Sequence, residues 1–112
     1  MKECYRLHSE ICKTIAQAKR LEILDTLRDG ELSVNDLAAR MGVTPSNVSQ
    51  QLAILRGAGV LATRRDGTSV FYRIANRKIL QAYDLMTEVM EETMAARARL
   101  ARPARVRTVR HR

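Results

Sequence analysis

The sequence lacks several features that would point to other classes of protein. It has no tryptophan, and aromatic residues make up only 4% of its 112 residues, a composition that fits a mostly helical chain. No apolar run approaches the roughly 18 residues that a membrane-spanning helix requires, so we expect no membrane contact. The first ten residues, MKECYRLHSE, contain no hydrophobic signal-peptide core, which predicts a cytoplasmic location.

Cysteines and catalytic motifs are also scarce. Cys4 and Cys12 are the only cysteines, too few for a disulfide framework, and reduced thiols are the default in the cytoplasm. The sequence contains no Gly-rich phosphate loop, no nucleophile accompanied by a base and an orienting group, and no carboxylate pair in an evident cleft. We therefore expect a protein that is not an enzyme.

What the chain does contain is positive charge, concentrated in two blocks. The net charge is +8. Residues 40–78 carry seven basic side chains and one acidic one, and residues 97–112 carry seven arginines and no acidic residue. A local basic patch is the electrostatic footprint of a protein that binds nucleic acid. The charge distribution thus makes residues 40–78 a candidate nucleic-acid-binding region.

The pattern within this first basic block predicts a helix that begins at Pro45. Thr44 is placed to accept a backbone N–H as an N-cap, and proline suits the first helical position because no donor is needed there. Val48, Leu52 and Leu55 recur with helical spacing, which predicts one buried stripe.

The opposite face of this predicted helix is polar but uncharged. A helix that needed only solubility would more usually carry Glu and Lys there. Ser, Asn and Gln can instead hydrogen-bond to base edges in the DNA major groove, and Asn and Gln can pair bidentately with adenine. We therefore predict a recognition helix whose DNA-contacting residues are Thr44, Ser46, Asn47, Ser49, Gln50 and Gln51.

Two β-rich segments follow, separated by Asp66-Gly67. Asp-Gly between such segments is a strong hairpin signal, because both central residues of the expected turn need positive φ. The second segment alternates apolar and polar residues with the period of a half-buried strand. We interpret the hairpin as a wing and predict that Arg64, Arg65 and Arg73 contact DNA phosphate or the minor groove.

Helical periodicity predicts further elements before this unit. Residues 3–16 and 17–28 are expected to form two helices, and Ser33 begins a third that ends at Gly42. Glu31-Leu32 is a candidate third strand. The short connection through Gly42 joins the third helix to the recognition helix, which makes the pair a helix-turn-helix.

The longest predicted helix runs from Arg77 to about Leu100. Its apolar face extends past the core that it could cover, and a second subunit explains such an overhang most simply. The first helix is the natural element for it to pack against. We predict a homodimer formed by the first and last helices, with an interface that includes Ile11, Ile15, Met86, Met90 and Met94.

Residues 101–112 have no apolar periodicity and contain Pro103. We expect a basic, disordered tail there, after a winged-helix DNA-binding and dimerisation domain that covers residues 1–100. The tail is either a solvated appendage or an extra arm that contacts phosphate.

The order helix, helix, helix-turn-helix, wing, helix resembles the ArsR/SmtB family of small homodimeric winged-helix repressors. The resemblance covers roughly residues 15–90 and rests on AKRLEIL at 18–24, on residues 32–61 and on RRDGTSVFYRI at 64–74. It implies a mainly α fold with a small β-hairpin. It also implies binding to double-stranded DNA, for which we expect an inverted-repeat operator, and release when an inducer binds, often a metal ion or a thiol-reactive species.

The sequence departs from the metal sites of this family. Many members carry two cysteines at the positions of Ser33 and Asn35, neither of which is a soft-metal ligand. Other members bind zinc-like ions through Asp and His of the last helix. Here Asp84 matches the acid, Met86 replaces the first His, and the helix contains no His. Gln51 stands where many members have His, which should alter DNA contacts.

Cys4, His8 and Cys12 are the candidate sensing residues. On a continuous helix they lie four residues apart on one face, where a soft metal or metalloid ion could bind or the thiols could react. The competing interpretation is packing at the dimer interface, because free cysteine is commonly buried. A disulfide within the chain is disfavoured. Eight residues of helix span about 12 Å, and bridged Cα atoms lie within about 7 Å.

The methionine stripe of the last helix has two interpretations as well. Met86, Met90 and Met94 could offer thioether ligands to copper(I), or they could fill a dimer core.

Three functions stay open at this point. They are a repressor whose inducer acts at the N-terminal cysteines, a constitutive architectural DNA-binding protein, and a winged helix used for protein–protein contact. The uncharged polar helix face and the first basic block favour DNA over the last of these.

Overall fold

A computed structural model describes the backbone of residues 1–110 and the side chains of residues 1–101. The predicted fold class, mainly α with a small β-hairpin in a winged helix-turn-helix arrangement, is confirmed. The chain divides after Leu80 into two units. In chain order the elements are α1 (Lys2–Ile15), α2 (Ala18–Thr26), a 3-10 turn (Leu27–Asp29), β1 (Leu32–Ser33), α3 (Val34–Met41), α4 (Pro45–Gly57), β2 (Leu61–Asp66), β3 (Ser69–Ile74) and α5 (Lys78–Arg110).

Local signals explain where α3 and α4 begin. The Ser33 hydroxyl accepts a hydrogen bond from the Asp36 N–H at 3.2 Å, and the Thr44 hydroxyl accepts one from the Asn47 N–H at 3.3 Å. Each bond satisfies a backbone donor that a helix start leaves without an intrahelical partner. Gly42 ends α3 in the left-handed conformation, at φ 69°, which glycine adopts without a Cβ penalty. The helix-turn-helix connection is therefore set by residues within it.

The sheet has three antiparallel strands in the order β1-β3-β2. Its third strand is Leu32–Ser33, one residue later than predicted. The predicted turn was wrong by one residue too, because Asp66 pairs with Ser69 and the central residues are Gly67-Thr68. Only Gly67 has positive φ there, at 64°, so a turn with glycine at its first central position suffices.

Twelve apolar residues form one buried core within residues 1–80. They come from every helix after α1, from the two long strands and from the connection before β2, and the side chains of α2, α3 and α4 supply most of them. α1 has no buried residue, although Ile11 and Ile15 pack against the core from outside. The core residues are Ile23, Leu24, Leu27, Leu37, Ala38, Val48, Leu52, Leu55, Val60, Leu61, Ile74 and Leu80.

The last helix ends later than predicted. The expected end near Leu100 was wrong, because α5 continues to Arg110. Six of residues 101–110 are Ala or Arg, which are strong helix formers, and their preference outweighs that of Pro103. The side chains after Ala101 and residues 111–112 lie outside the described part of the chain, so a phosphate-contacting role for residues 101–112 stays a prediction. No helix within the described residues is both long and apolar enough to cross a membrane.

Candidate nucleic-acid interface

α4 has one fully buried face and one exposed polar face. Val48, Leu52 and Leu55 are at most 1% exposed. Because this face packs on the core, the opposite face of the helix is turned toward solvent. The polar side chains on that opposite face were predicted to contact DNA, and the following four are exposed: Ser46, Asn47, Ser49 and Gln50. Their hydroxyl and amide groups offer both hydrogen-bond donors and acceptors to a groove.

The two ends of the predicted contact set are engaged within the chain. At the N-terminal end, the Thr44 hydroxyl caps α4 and lies 3.4 Å from the Ser46 hydroxyl. At the other end, Gln51 is only half-buried, and its side-chain oxygen accepts a hydrogen bond from Arg20 Nε at 2.8 Å. Gln51 is therefore oriented by α2 rather than by solvent.

Two basic residues of α2 that the sequence argument missed lie beside α4. Lys19 Nζ donates to Asn47 Oδ1 at 3.3 Å. Arg20 donates to Gln51 and, through Nη1, to the Thr14 carbonyl at 2.7 Å. Arg20 thus connects the C-terminal end of α1 with the recognition helix. These contacts join residues 28 and 31 positions apart, and no local pattern reveals such pairs.

The three arginines predicted for the wing differ in their surroundings. Arg64 Nε donates to both carboxylate oxygens of Glu31, at 2.9 and 3.2 Å, and the guanidinium lies 4.8 Å from the centre of the Phe71 ring. The hydrogen bond from Arg64 lowers the pKa of Glu31. Arg65 and Arg73 are exposed and form no ion pair with any residue that the structure describes.

Known proteins resemble this chain in sequence. Residues 18–63 match the family described as "Bacterial regulatory protein, arsR family". The chain is 46% identical over 72 residues to the HTH-type transcriptional regulator KmtR of Mycobacterium tuberculosis, a match that covers 64% of this chain and 55% of KmtR. It is 38% identical over 94 residues to Rv0081 of the same organism, covering 83% of this chain and 82% of that protein.

The chain belongs to the bacterial ArsR family. The crystal structure of Rv0081 agrees with the present fold at a TM-score of 0.76, over 85% of this chain and 96% of that one. The homodimeric winged helix-turn-helix domain of Mb0332 from Mycobacterium bovis, 31% identical, agrees at a TM-score of 0.74 over 81% of this chain and 84% of that one. This protein is accordingly a DNA-binding transcriptional regulator and not an enzyme.

The predicted sensing residues of this ArsR-family chain all lie on α1. Cys4 and Cys12 are free thiols with exposed side chains, and His8 between them is exposed as well. Within the described residues, no three or more His, Cys, Asp and Glu side chains come together as a metal site. The described part of one chain thus presents accessible thiols on α1 but no complete metal site there.

The residues predicted for the dimer interface fall into two groups. Ile11 and Ile15 pack against the core of their own chain, which already explains their apolar character. Met86, Met90 and Met94 on α5 are exposed, by 58%, 49% and 68%. Five further apolar side chains on α1 and α5 are exposed but were not predicted for the interface, which are Tyr5, Leu7, Leu85, Val89 and Leu100.

Proposed function

We propose that this ArsR-family regulator is a homodimeric repressor whose α4 helices enter successive major grooves of an inverted-repeat operator. The observation that carries the proposal is the exposed, uncharged polar face of α4, which lies opposite the fully buried stripe of the same helix. Ser46, Ser49 and Gln50 offer base-reading groups there, and Arg65 and Arg73 of the wing offer phosphate contacts.

The exposed apolar residues of the two terminal helices support a second copy of the chain as partner. α5 exposes Leu85, Met86, Val89 and Met90 within six residues, and α1 separately exposes Tyr5. Single exposed apolar residues are normal, but contiguous apolar surface usually marks an interaction site. The homodimeric relative Mb0332 makes a second copy the first candidate for that partner.

We infer that an inducer acts on Cys4 and Cys12 and releases the operator. Both thiols are accessible without unfolding. Because both lie within the continuous helix α1, about 12 Å apart along its axis, a bridge or a soft-metal site needs a group from the other subunit. The Arg20 side chain provides a route from α1 to α4, since it bonds to the Thr14 carbonyl and to Gln51.

Operator affinity tests the proposed inducer site. Wild type and Cys4→Ser/Cys12→Ser are compared when reduced, oxidised or persulfidated, and with arsenite, cadmium, zinc or copper(I). We expect one treatment to weaken wild-type binding at least tenfold, which is about 1.4 kcal/mol, and to spare the double mutant. Met86→Leu/Met90→Leu/Met94→Leu is the matched control for thioether ligation. If the double mutant responds as wild type does, the thiols are not the sensor.

A constitutive architectural role is the second candidate, and the seven arginines in residues 97–112 favour it. Such a protein would bind DNA through phosphate contacts without a small effector. Deleting residues 101–112 separates the two functions. Under the architectural role most affinity and salt dependence disappear, whereas the proposed repressor keeps operator binding with a shallower salt dependence.

A further inference from the structure

The ion pair between Glu31 and Arg64 connects the two edges of the sheet across its middle strand. Arg64 lies on β2 and pairs in register with Phe71 of β3, and Phe71 pairs with Ser33 of β1. Glu31 precedes Ser33 by two residues, so the period of two along a strand brings its side chain to the same face. The guanidinium of Arg64 lies over the Phe71 ring and reaches the carboxylate on the far side.

The chemistry of this pair resembles that of an arginine on a phosphate. Arg64 uses both Nε and Nη2 toward the Glu31 carboxylate. Both donors bond to Oε1, and Nε also donates to Oε2. Guanidinium groups use the same pair of donors to bind phosphate oxygens. The same two donors cannot serve a DNA phosphate while Glu31 holds them. Asp66 Oδ2, 4.0 Å from Arg64 Nη1, adds a weaker acidic neighbour.

The other two wing arginines provide an internal contrast. Arg65 and Arg73 form no ion pair within the part of the chain that the structure describes, and both are exposed. Neither guanidinium would lose an ion pair on binding a phosphate, although the charge of Arg73 also helps to lower the pKa of the Glu31 carboxyl. The three wing arginines therefore differ: Glu31 holds Arg64 in an ion pair, Arg73 lies near the same carboxylate without an ion pair, and Arg65 forms no ion pair with a described residue.

We propose that Glu31 is a built-in competitor for DNA phosphate, which keeps Arg64 as a brace of the wing and out of the DNA contact. The inference rests on the proposed function, in which the wing contacts DNA. Its consequence is that wild-type wing binding uses Arg65 and Arg73, with Arg64 as a positioning residue. Removing the Glu31 carboxylate frees Arg64 and adds a phosphate contact that carries no sequence information.

The number of phosphate contacts is measurable from the salt dependence of DNA affinity. Each contact contributes about 0.9 to the slope of log affinity against log salt concentration. Arg65→Gln should therefore reduce the slope by about 1.8 for a dimer, and Arg64→Gln should leave it unchanged. Glu31→Gln should increase the slope by about 1.8, equivalent to a roughly 12-fold larger loss of affinity between 50 and 200 mM salt.

Two controls separate release of Arg64 from general electrostatics and from misfolding. Asp29→Asn removes an exposed acidic charge two residues from Glu31 that forms no ion pair with a described residue. Glu31→Gln/Arg64→Gln removes the competitor together with the arginine that it holds, and the slope should return to the wild-type value. Thermal unfolding of each variant shows whether it retains the fold.

The outcomes distinguish this inference from the proposed function. If Arg65→Gln lowers the slope but Glu31→Gln changes it no more than Asp29→Asn does, Glu31 is not a competitor. The inference is equally overturned if Arg64→Gln lowers the slope as much as Arg65→Gln. If wild type shows no salt-dependent DNA binding, or Arg65→Gln has no effect, the proposed wing contact itself fails and the inference fails with it.

Discussion

Residues 1–80 and residues 81–101 have similar apolar periodicity but opposite burial. The first unit buries twelve apolar side chains in one core, whereas no described side chain after Leu80 is buried. Leu52 on α4 and Met90 on α5 illustrate the contrast, at 0% and 49% exposure. Apolar periodicity therefore predicts a helix and its apolar face. Burial in the structure shows whether the core of the same chain covers that face or leaves it exposed for a partner.

The largest expected effect concerns the core of the first unit. Leu52→Ala should lower the free energy of unfolding by about 2–5 kcal/mol, because it removes buried methyl groups and leaves a cavity. Ile54→Ala, in the same helix but 44% exposed, should cost far less. Urea or thermal unfolding at one protein concentration gives both values. Equal losses would contradict the assignment of the two faces of α4.

The next largest effect concerns α5. Met86→Glu/Met90→Glu should weaken the proposed dimer at least about 100-fold, or about 2.7 kcal/mol, because an interface would bury unpaired charge. Sedimentation equilibrium measures the dissociation constant. Met86→Leu/Met90→Leu is the matched control and should leave it nearly unchanged. A double glutamate variant that dimerises as wild type does would remove this face of α5 from the interface.

A smaller effect should distinguish the two glutamines of α4. Gln50 is exposed, and Gln51 is held by Arg20. Gln50→Ala should reduce discrimination at one base pair by roughly 1–3 kcal/mol. Gln51→Ala should change affinity about equally for all sequences, since it alters how α4 is held. Affinities for a set of single-base operator variants separate these patterns, and a base-specific loss with Gln51→Ala would contradict this division.

The smallest effect concerns the start of α4. Thr44→Ala should destabilise the fold by about 1 kcal/mol, because the Asn47 N–H loses the hydroxyl that accepts its hydrogen bond. Thr44→Ser keeps an acceptor and should restore most of this stability. Thermal unfolding is again the measurement. A Thr44→Ala protein as stable as wild type would show that the cap adds nothing to the fold.

Much of the fold was predictable because its signals are local. Thr44, Pro45 and Gly42 mark the boundaries of α3 and α4 within a few residues of sequence, and the apolar spacing of α4 identified its buried face correctly. The hairpin was recognised from Asp66-Gly67, although its turn lies one residue later. Such local signals work because caps, turns and helix faces depend on neighbouring residues.

The pairs that refine the candidate site could not be predicted in this way. Glu31 and Arg64 are 33 positions apart, and Arg20 and Gln51 are 31 apart. Composition predicted that basic residues of the wing face DNA, but only the fold brings Glu31 to Arg64. The sequence indicated that the apolar face of α5 extends past the core, but no local pattern identifies the partner that covers this face.

The selectivity of DNA binding tests the central claim most directly. An operator is selected from a random duplex library, and its affinity is compared with that of a scrambled duplex of equal length and composition at one salt concentration near 150 mM. We predict an inverted repeat with half-sites one helical turn apart, or a multiple of it, bound at least about 10³-fold more tightly than the scrambled duplex. A ratio near one would contradict a base-reading α4 and leave phosphate contacts as the source of affinity.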